Sequence, residues 1–149
     1  MDKTFDEFTM RLQKEIFEEA KETYGEEAFK RWLNPIYMGI ISNPDGYACL
    51  KGVCGDTMEI FLKFENEKVK EASYQTDGCG SSNICGSFAA EMALGKNPDE
   101  LLNITGGAII KRLGGLPDAE EHCAFLAAET LQEALNSYMI NRANKGNKK

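Results

Sequence analysis

The stretch Thr57-Met58-Glu59-Ile60-Phe61-Leu62-Lys63-Phe64-Glu65-Asn66-Glu67-Lys68-Val69-Lys70-Glu71-Ala72-Ser73-Tyr74-Gln75-Thr76-Asp77 decides the fold. Met58, Ile60, Leu62 and Phe64 alternate with other residues, the period of a strand with one buried face. After Glu65-Asn66-Glu67 a second run follows to Asp77, with Val69, Glu71, Ser73 and Gln75 assigned to one side. A connection this short joins antiparallel partners. Upstream, Asn43-Pro44-Asp45-Gly46 is a turn signal, and about Tyr47 to Gly52 reads as a third strand.

Helical patterns flank this sheet on both sides. Thr4-Phe5-Asp6-Glu7 can form a capping box, and Phe8, Leu12, Ile16, Ala20 and Tyr24 then recur every fourth residue on one face. Gly25 interrupts. A shorter helix near Glu26 to Trp32 ends before Asn34-Pro35. Downstream, Ser82 to Gly95, a short helix opened by Asn97-Pro98, Thr105 to Leu113, and about Glu120 to Arg142 read as helices. Phe88, Ala89 and Met92 form the inner side of the first of these. Cys123, Ala127, Leu131, Ala134, Leu135 and Tyr138 form that of the last. The tail Asn144-Lys145-Gly146-Asn147-Lys148-Lys149 reads as disordered. The expected architecture is α+β: a small antiparallel three-stranded sheet with helices packed on one face, preceded by an N-terminal helix. Residues 1–149 read as one domain, with 1–33 a helical extension and 143–149 the tail.

Composition limits the functions. The chain has 149 residues, 42% of them hydrophobic, enough for one core. The formal charge is -7 with no basic stripe, which argues against nucleic acid as partner. No apolar run is long enough for a membrane span, and the first residues lack the pattern of a signal peptide, so the cytoplasm is the expected compartment. The odd set Cys49, Cys54, Cys79, Cys85 and Cys123 is not a disulfide framework. It suggests metal binding, thiol chemistry or burial.

Three of these cysteines stand at the ends of elements. Gly52-Val53-Cys54-Gly55-Asp56 joins two strands, Gly78-Cys79-Gly80-Ser81-Ser82 joins strand to helix, and His122-Cys123 opens the last helix. Glycines leave room beside a sulfur. A helix N-terminus favours the thiolate, the form that binds metal. His122, the only histidine, adds imidazole, and Asp56 adds an oxygen donor. Their spacing matches no zinc finger. Cys49 reads as an inert packed thiol. Cys85, inside a helix, is either packing or a further sulfur ligand.

From Cys54 to Tyr138 the chain resembles the U-type iron–sulfur cluster assembly scaffolds, also seen as the N-terminal domain of the nitrogen-fixation scaffold. Gly52-Val53-Cys54-Gly55-Asp56-Thr57-Met58, Thr76-Asp77-Gly78-Cys79-Gly80-Ser81-Ser82, and Leu116-Pro117 through His122-Cys123 into the helix Ala124 to Leu135 resemble that family's three cysteine motifs, in order. Asn34-Pro35 and Gly95-Lys96 also fit.

The resemblance implies a non-catalytic scaffold. A transient [2Fe–2S] cluster would be assembled on Cys54, Cys79 and Cys123, with His122 or Asp56 as an exchangeable fourth ligand. A weak fourth ligand suits a carrier that must release its cargo. It further implies a cysteine desulfurase as sulfur donor, Cys123 as persulfide acceptor on an accessible helix end, and apo iron–sulfur proteins as recipients. Zinc can occupy the same ligands in isolated members, and two subunits could share a cluster as a homodimer. Leu116-Pro117-Asp118-Ala119-Glu120 departs from the family's Leu-Pro-Pro-Val-Lys, so the Hsp70-type chaperone contact is not carried over. The rival readings are a zinc-bound sulfurtransferase that relays persulfide and a structural zinc module.

Overall fold

In a computed structural model of the chain, residues 3–53, 55–78 and 80–147 are described, without the side chains of residues 3, 5, 17, 20, 23, 24 and 145–147. The elements run α1 (Lys3–Tyr24), α2 (Glu26–Leu33), β1 (Gly46–Lys51), β2 (Thr57–Glu65), β3 (Lys68–Thr76), α3 (Gly80–Ala93), α4 (Pro98–Leu101), α5 (Gly106–Leu113), a 3-10 turn (Asp118–Glu120) and α6 (Glu121–Asn147). The sheet is antiparallel in the order β1-β2-β3. Helices α3 and α6 cover one of its faces, so the α+β expectation holds.

The alternation in β2 sets the core. Met58, Ile60 and Leu62 are fully buried and meet Ala48 of β1, Tyr74 of β3, Ile84 and Phe88 of α3, and Leu131 of α6. On the opposite face Phe61 packs beside Tyr47, with ring centroids 5.0 Å apart. One assignment in β3 is corrected. Val69 does not share a face with Glu71, Ser73 and Gln75. The ladder slips between Lys63 and Phe64, so that Val69 pairs with Phe64 while Glu71 pairs with Lys63. The extra residue, Lys70, reverses the alternation, and Val69 joins the core.

The shorter helices end where local chemistry stops them. Asn97 and Glu100 form a reciprocal capping box at α4, and the Thr105 hydroxyl accepts from Ala108 N at α5. Gly114, at φ 89°, closes α5. One expectation at the C-terminal end is also corrected. Helix α6 continues to Asn147, so residues 144–147 of the supposed disordered tail are helical; Lys148 and Lys149 lie outside the described residues. At the other end, the apolar stripe of α1 is exposed: Phe8, Leu12 and Ile16 are 59%, 47% and 48% accessible. That helix packs on α2 and stands clear of the sheet. None of the described helices is long and apolar enough to cross a membrane.

A cluster of ions fastens α2 to the body. Arg31 is buried; its Nη1 donates to Ser87 Oγ and its Nη2 to Glu91 Oε1, both at 3.0 Å. Its guanidinium carbon lies 4.0 Å from the centre of the Phe88 ring. Arg112 of α5 reaches the second oxygen of Glu91 at 3.4 Å and Glu27 of α2 at 2.7 Å. The Ser87 hydroxyl in turn donates to Ile36 O (2.6 Å). Because Arg31 is desolvated and doubly bonded, Arg31→Ala should lower unfolding free energy by about 2 kcal/mol in urea titration. The emission of Trp32, the only tryptophan, should shift to the red as α2 loosens.

Candidate metal centre

The three cysteine motifs converge at one end of the sheet. The β1–β2 connection is a tight turn in which Gly52 N donates to Asp56 O (2.8 Å) and Gly55 N to Gly52 O (3.0 Å). Gly55, at φ 92°, occupies a conformation that a side chain would strain. The turn after β3 is tied to the same place. The Asp77 carboxylate accepts from Thr57 N (2.7 Å), and Thr76 Oγ1 donates to Thr57 O (2.6 Å) and accepts from Gly78 N (3.0 Å). A Cβ on Gly78 would fall 2.6 Å from both Asp56 Oδ2 and Ser82 Oγ, so any larger residue here would push the Asp56–Ser82 pair aside. The start of α6 is seated by Leu126, whose side chain rests against Gly52.

Of the proposed ligands, Asp56, His122 and Cys123 are brought together. Cys54 and Cys79 lie outside the described residues. Ser82, in the first turn of α3, is the link: its hydroxyl donates to Asp56 Oδ2 at 3.0 Å and lies 3.5 Å from Cys123 Sγ. His122 Nε2 is 3.6 Å from the same sulfur. A serine hydroxyl carries one proton but also accepts. With its proton directed at Asp56, Ser82 Oγ can accept a hydrogen bond from the Cys123 thiol; once Cys123 is a thiolate, two anions compete for one hydroxyl proton. A cation relieves that competition. Among the described residues no three His, Cys, Asp or Glu side chains already form a closed metal cage. The donors present are thiol, imidazole and carboxylate, a mixed soft and hard set that suits iron or zinc.

Burial differs from the sequence reading at two cysteines. Cys123, which the apolar stripe of the last helix put on its inner side and the resemblance put on an accessible helix end, is 1% exposed beneath Ser82 and His122. It stands at the third position of α6, on the face turned to α3, and that orientation hides it. Cys49, expected to be packed, is exposed, because Ala48 and Leu50 are the β1 residues turned to α6. Cys85 is fully buried in the core, in keeping with a packing role.

Two participants were not legible as such. Ser82 stood inside the second motif, but serine is a common helix opener and nothing local marks it as a ligand support. Trp32 lies far away in sequence, yet its indole Nε1 is 2.6 Å and its Cδ1 2.7 Å from where a Cβ on Gly80 would be. The α2 helix, held by the Arg31 cluster, thus places the single tryptophan against the residue that follows Cys79.

The fold, a three-stranded antiparallel sheet under helices with three cysteine motifs meeting at one end, defines an iron–sulfur scaffold-type domain. A family model described as the NifU-like N terminal domain matches residues 23–145, and the chain belongs to that family. It is 38% identical over 116 residues to the iron-sulfur cluster assembly scaffold protein IscU 1 of Archaeoglobus fulgidus, covering 77% of this chain and 76% of that protein. Against the scaffold protein IscU of Aquifex aeolicus it is 34% identical over 122 residues, 80% and 78% of the two chains. Among solved structures, the N-terminal NifU-like protein of Brucella abortus superposes with a TM-score of 0.63 at 17% identity, over 80% of this chain and 96% of that one, a likeness of fold.

Proposed function

We propose that this protein is a non-catalytic scaffold on which a transient [2Fe–2S] cluster is assembled from iron and desulfurase-derived sulfur, then passed to apo iron–sulfur proteins in the cytoplasm. The cluster is cargo, and the ligands are Cys54, Cys79 and Cys123 with His122 or Asp56 as the exchangeable fourth. The observation that carries this reading is the Asp56–Ser82–Cys123–His122 chain, with contacts of 3.0, 3.5 and 3.6 Å, at the meeting point of the three motifs. It puts an imidazole beside one thiol and a carboxylate one hydroxyl away from it. Either can serve as a weaker partner to that sulfur, which suits a site that gives up what it holds. The burial of Cys123 adds a requirement: persulfide acceptance there needs the Ser82 and His122 cover to open.

Anaerobic reconstitution with ferrous iron, cysteine and a cysteine desulfurase tests the proposal. A [2Fe–2S] signature in visible and Mössbauer spectra, movement of that signature to an apo-ferredoxin, and quenching of Trp32 emission as the cluster forms would support it. A colourless protein that takes up sulfur alone, or retains only zinc, would overturn it in favour of a persulfide relay.

Asp56→Ala separates formation from release. The yield of cluster should change little, while transfer should slow by about tenfold, the scale seen when a supporting metal contact is lost. An unchanged transfer rate would remove Asp56 from the release step.

A further inference from the structure

The two edges of the sheet are treated differently. On the outer side of β3, Val69 N donates to Lys96 O (3.0 Å) and Gly95 N to Val69 O (2.9 Å). Further along, Tyr74 N donates to Tyr37 O and Gly39 N to Tyr74 O, both at 2.9 Å. That edge is covered. The outer edge of β1 has no such cover among the described residues. Gly52 and Asp56 form a close hydrogen-bonded pair, and such pairs alternate in an antiparallel ladder. Leu50, Ala48 and Gly46 therefore bond to β2, while Tyr47, Cys49 and Lys51 aim their N–H and C=O groups outward. Open edges of this kind recruit another strand unless something blunts them.

A trough runs beside this edge. Its lower part, about 530 Å³, is lined by the four consecutive residues Tyr47, Ala48, Cys49 and Leu50, as a strand edge is, together with Glu133 and Ile140 of α6. Its upper part, about 550 Å³, shares Leu50 and Glu133 and continues to Leu102, Phe125 and Glu129. From Phe125 to Ile140 the helix advances about 22 Å, room for roughly seven extended residues. Leu102, Phe125 and Ile140 are 60%, 48% and 52% exposed. No Lys or Arg lines either part, and both carboxylates stand one turn apart on α6.

We propose that β1 and this trough form a docking site for an extended segment of a partner protein that carries both Lys or Arg and apolar residues at every second position, on the face turned to α6. The segment adds a strand to β1. Along the face turned to α6, its apolar side chains fill the space beside Leu50 and Phe125, and the cations between them meet Glu129 and Glu133. A second copy of this chain fits poorly, because it would bring the same carboxylates and an overall charge of -7 to the contact.

The probe is a ten-residue peptide with blocked ends, with Thr at every second position and Lys and Val taking turns at the positions between, and its Glu-for-Lys counterpart. Both are titrated into the full chain by NMR and calorimetry. The Lys peptide should shift the amides of Tyr47, Cys49 and Lys51 and protect them from exchange; the Glu peptide should not. Glu129→Gln with Glu133→Gln should weaken binding by about tenfold, whereas Glu18→Gln with Glu22→Gln, the same charge change on α1, should not. Cys49→Pro removes an outward N–H that the ladder does not use, so the fold persists while binding falls. Shifts confined to another face, equal binding of the two peptides, indifference to the α6 pair, or a dimer closed through β1 in sedimentation would each overturn the proposal.

Discussion

Cys123→Ala should leave a folded protein that no longer keeps a cluster. The sulfur is the one proposed thiol ligand with a described environment, and three groups are arranged around it: Ser82 at 3.5 Å, His122 at 3.6 Å, and Asp56 through Ser82. Alanine retains the Cβ and most of the packing of a residue that is 1% exposed, so the stability loss should be about 1 kcal/mol. Cluster yield after anaerobic reconstitution should fall at least tenfold, read from visible absorption after gel filtration. Cys49→Ala, on the exposed side of β1, is the matching control and should reconstitute normally. Cys85→Ala should cost stability in the core without removing the cluster, which separates a damaged fold from a missing ligand. A stable [2Fe–2S] spectrum in Cys123→Ala would refute the ligand set.

Gly46→Ala should produce the largest loss of stability among small surface-to-core changes. The added Cβ would lie 2.4 Å from Ala134 O and 3.2 Å from Tyr138 Cβ. The nearer atom belongs to the helix backbone and cannot rotate away, so β1 and α6 must separate. Tyr138 is also stacked on Phe64, with centroids 3.7 Å apart, and would be disturbed with them. A Gly→Ala change ordinarily gains some stability by restricting the unfolded chain, but overpacking here should outweigh it by about 2–3 kcal/mol. In a chain of this size that corresponds to a drop in Tm of roughly 5–10 °C by calorimetry. Gly107→Ala is the contrast. Its Cβ would meet only Thr105 Oγ1 at 3.9 Å on the exposed side of α5, so it should be neutral or stabilising. Equal melting temperatures for Gly46→Ala and the parent would mean that the α6–β1 contact is looser than these distances state.

The hairpin shows how far pattern alone reaches. The alternation of Met58, Ile60, Leu62 and Phe64 gave β2 its limits, Thr57–Glu65, without correction. The partner strand was placed correctly, but Val69 was put on the wrong face. A bulge shifts register through one extra residue, and no side chain announces it. At α1 the pattern was read correctly as a helix with one apolar face, but it could not say whether that face is covered: period identifies a stripe, whereas burial depends on what another element brings to cover it. Cys49 is exposed rather than packed, and Cys123 follows the inner stripe of its helix rather than lying on an accessible end, for the same reason. Whether a thiol is hidden depends on which face of its element meets the next one.

The sequence by itself determined the secondary structure, the antiparallel pairing and the three motifs that mark the family, because turn residues, caps and hydrophobic period act over a few neighbours. Only the tertiary structure decided that Ser82 joins Asp56 to Cys123, that Arg31 clamps α2 so that Trp32 rests on Gly80, and that β3 is covered at its edge while β1 is not. Those contacts join residues from different elements. They depend on how helices seat on the sheet, a packing solution to which the whole core contributes.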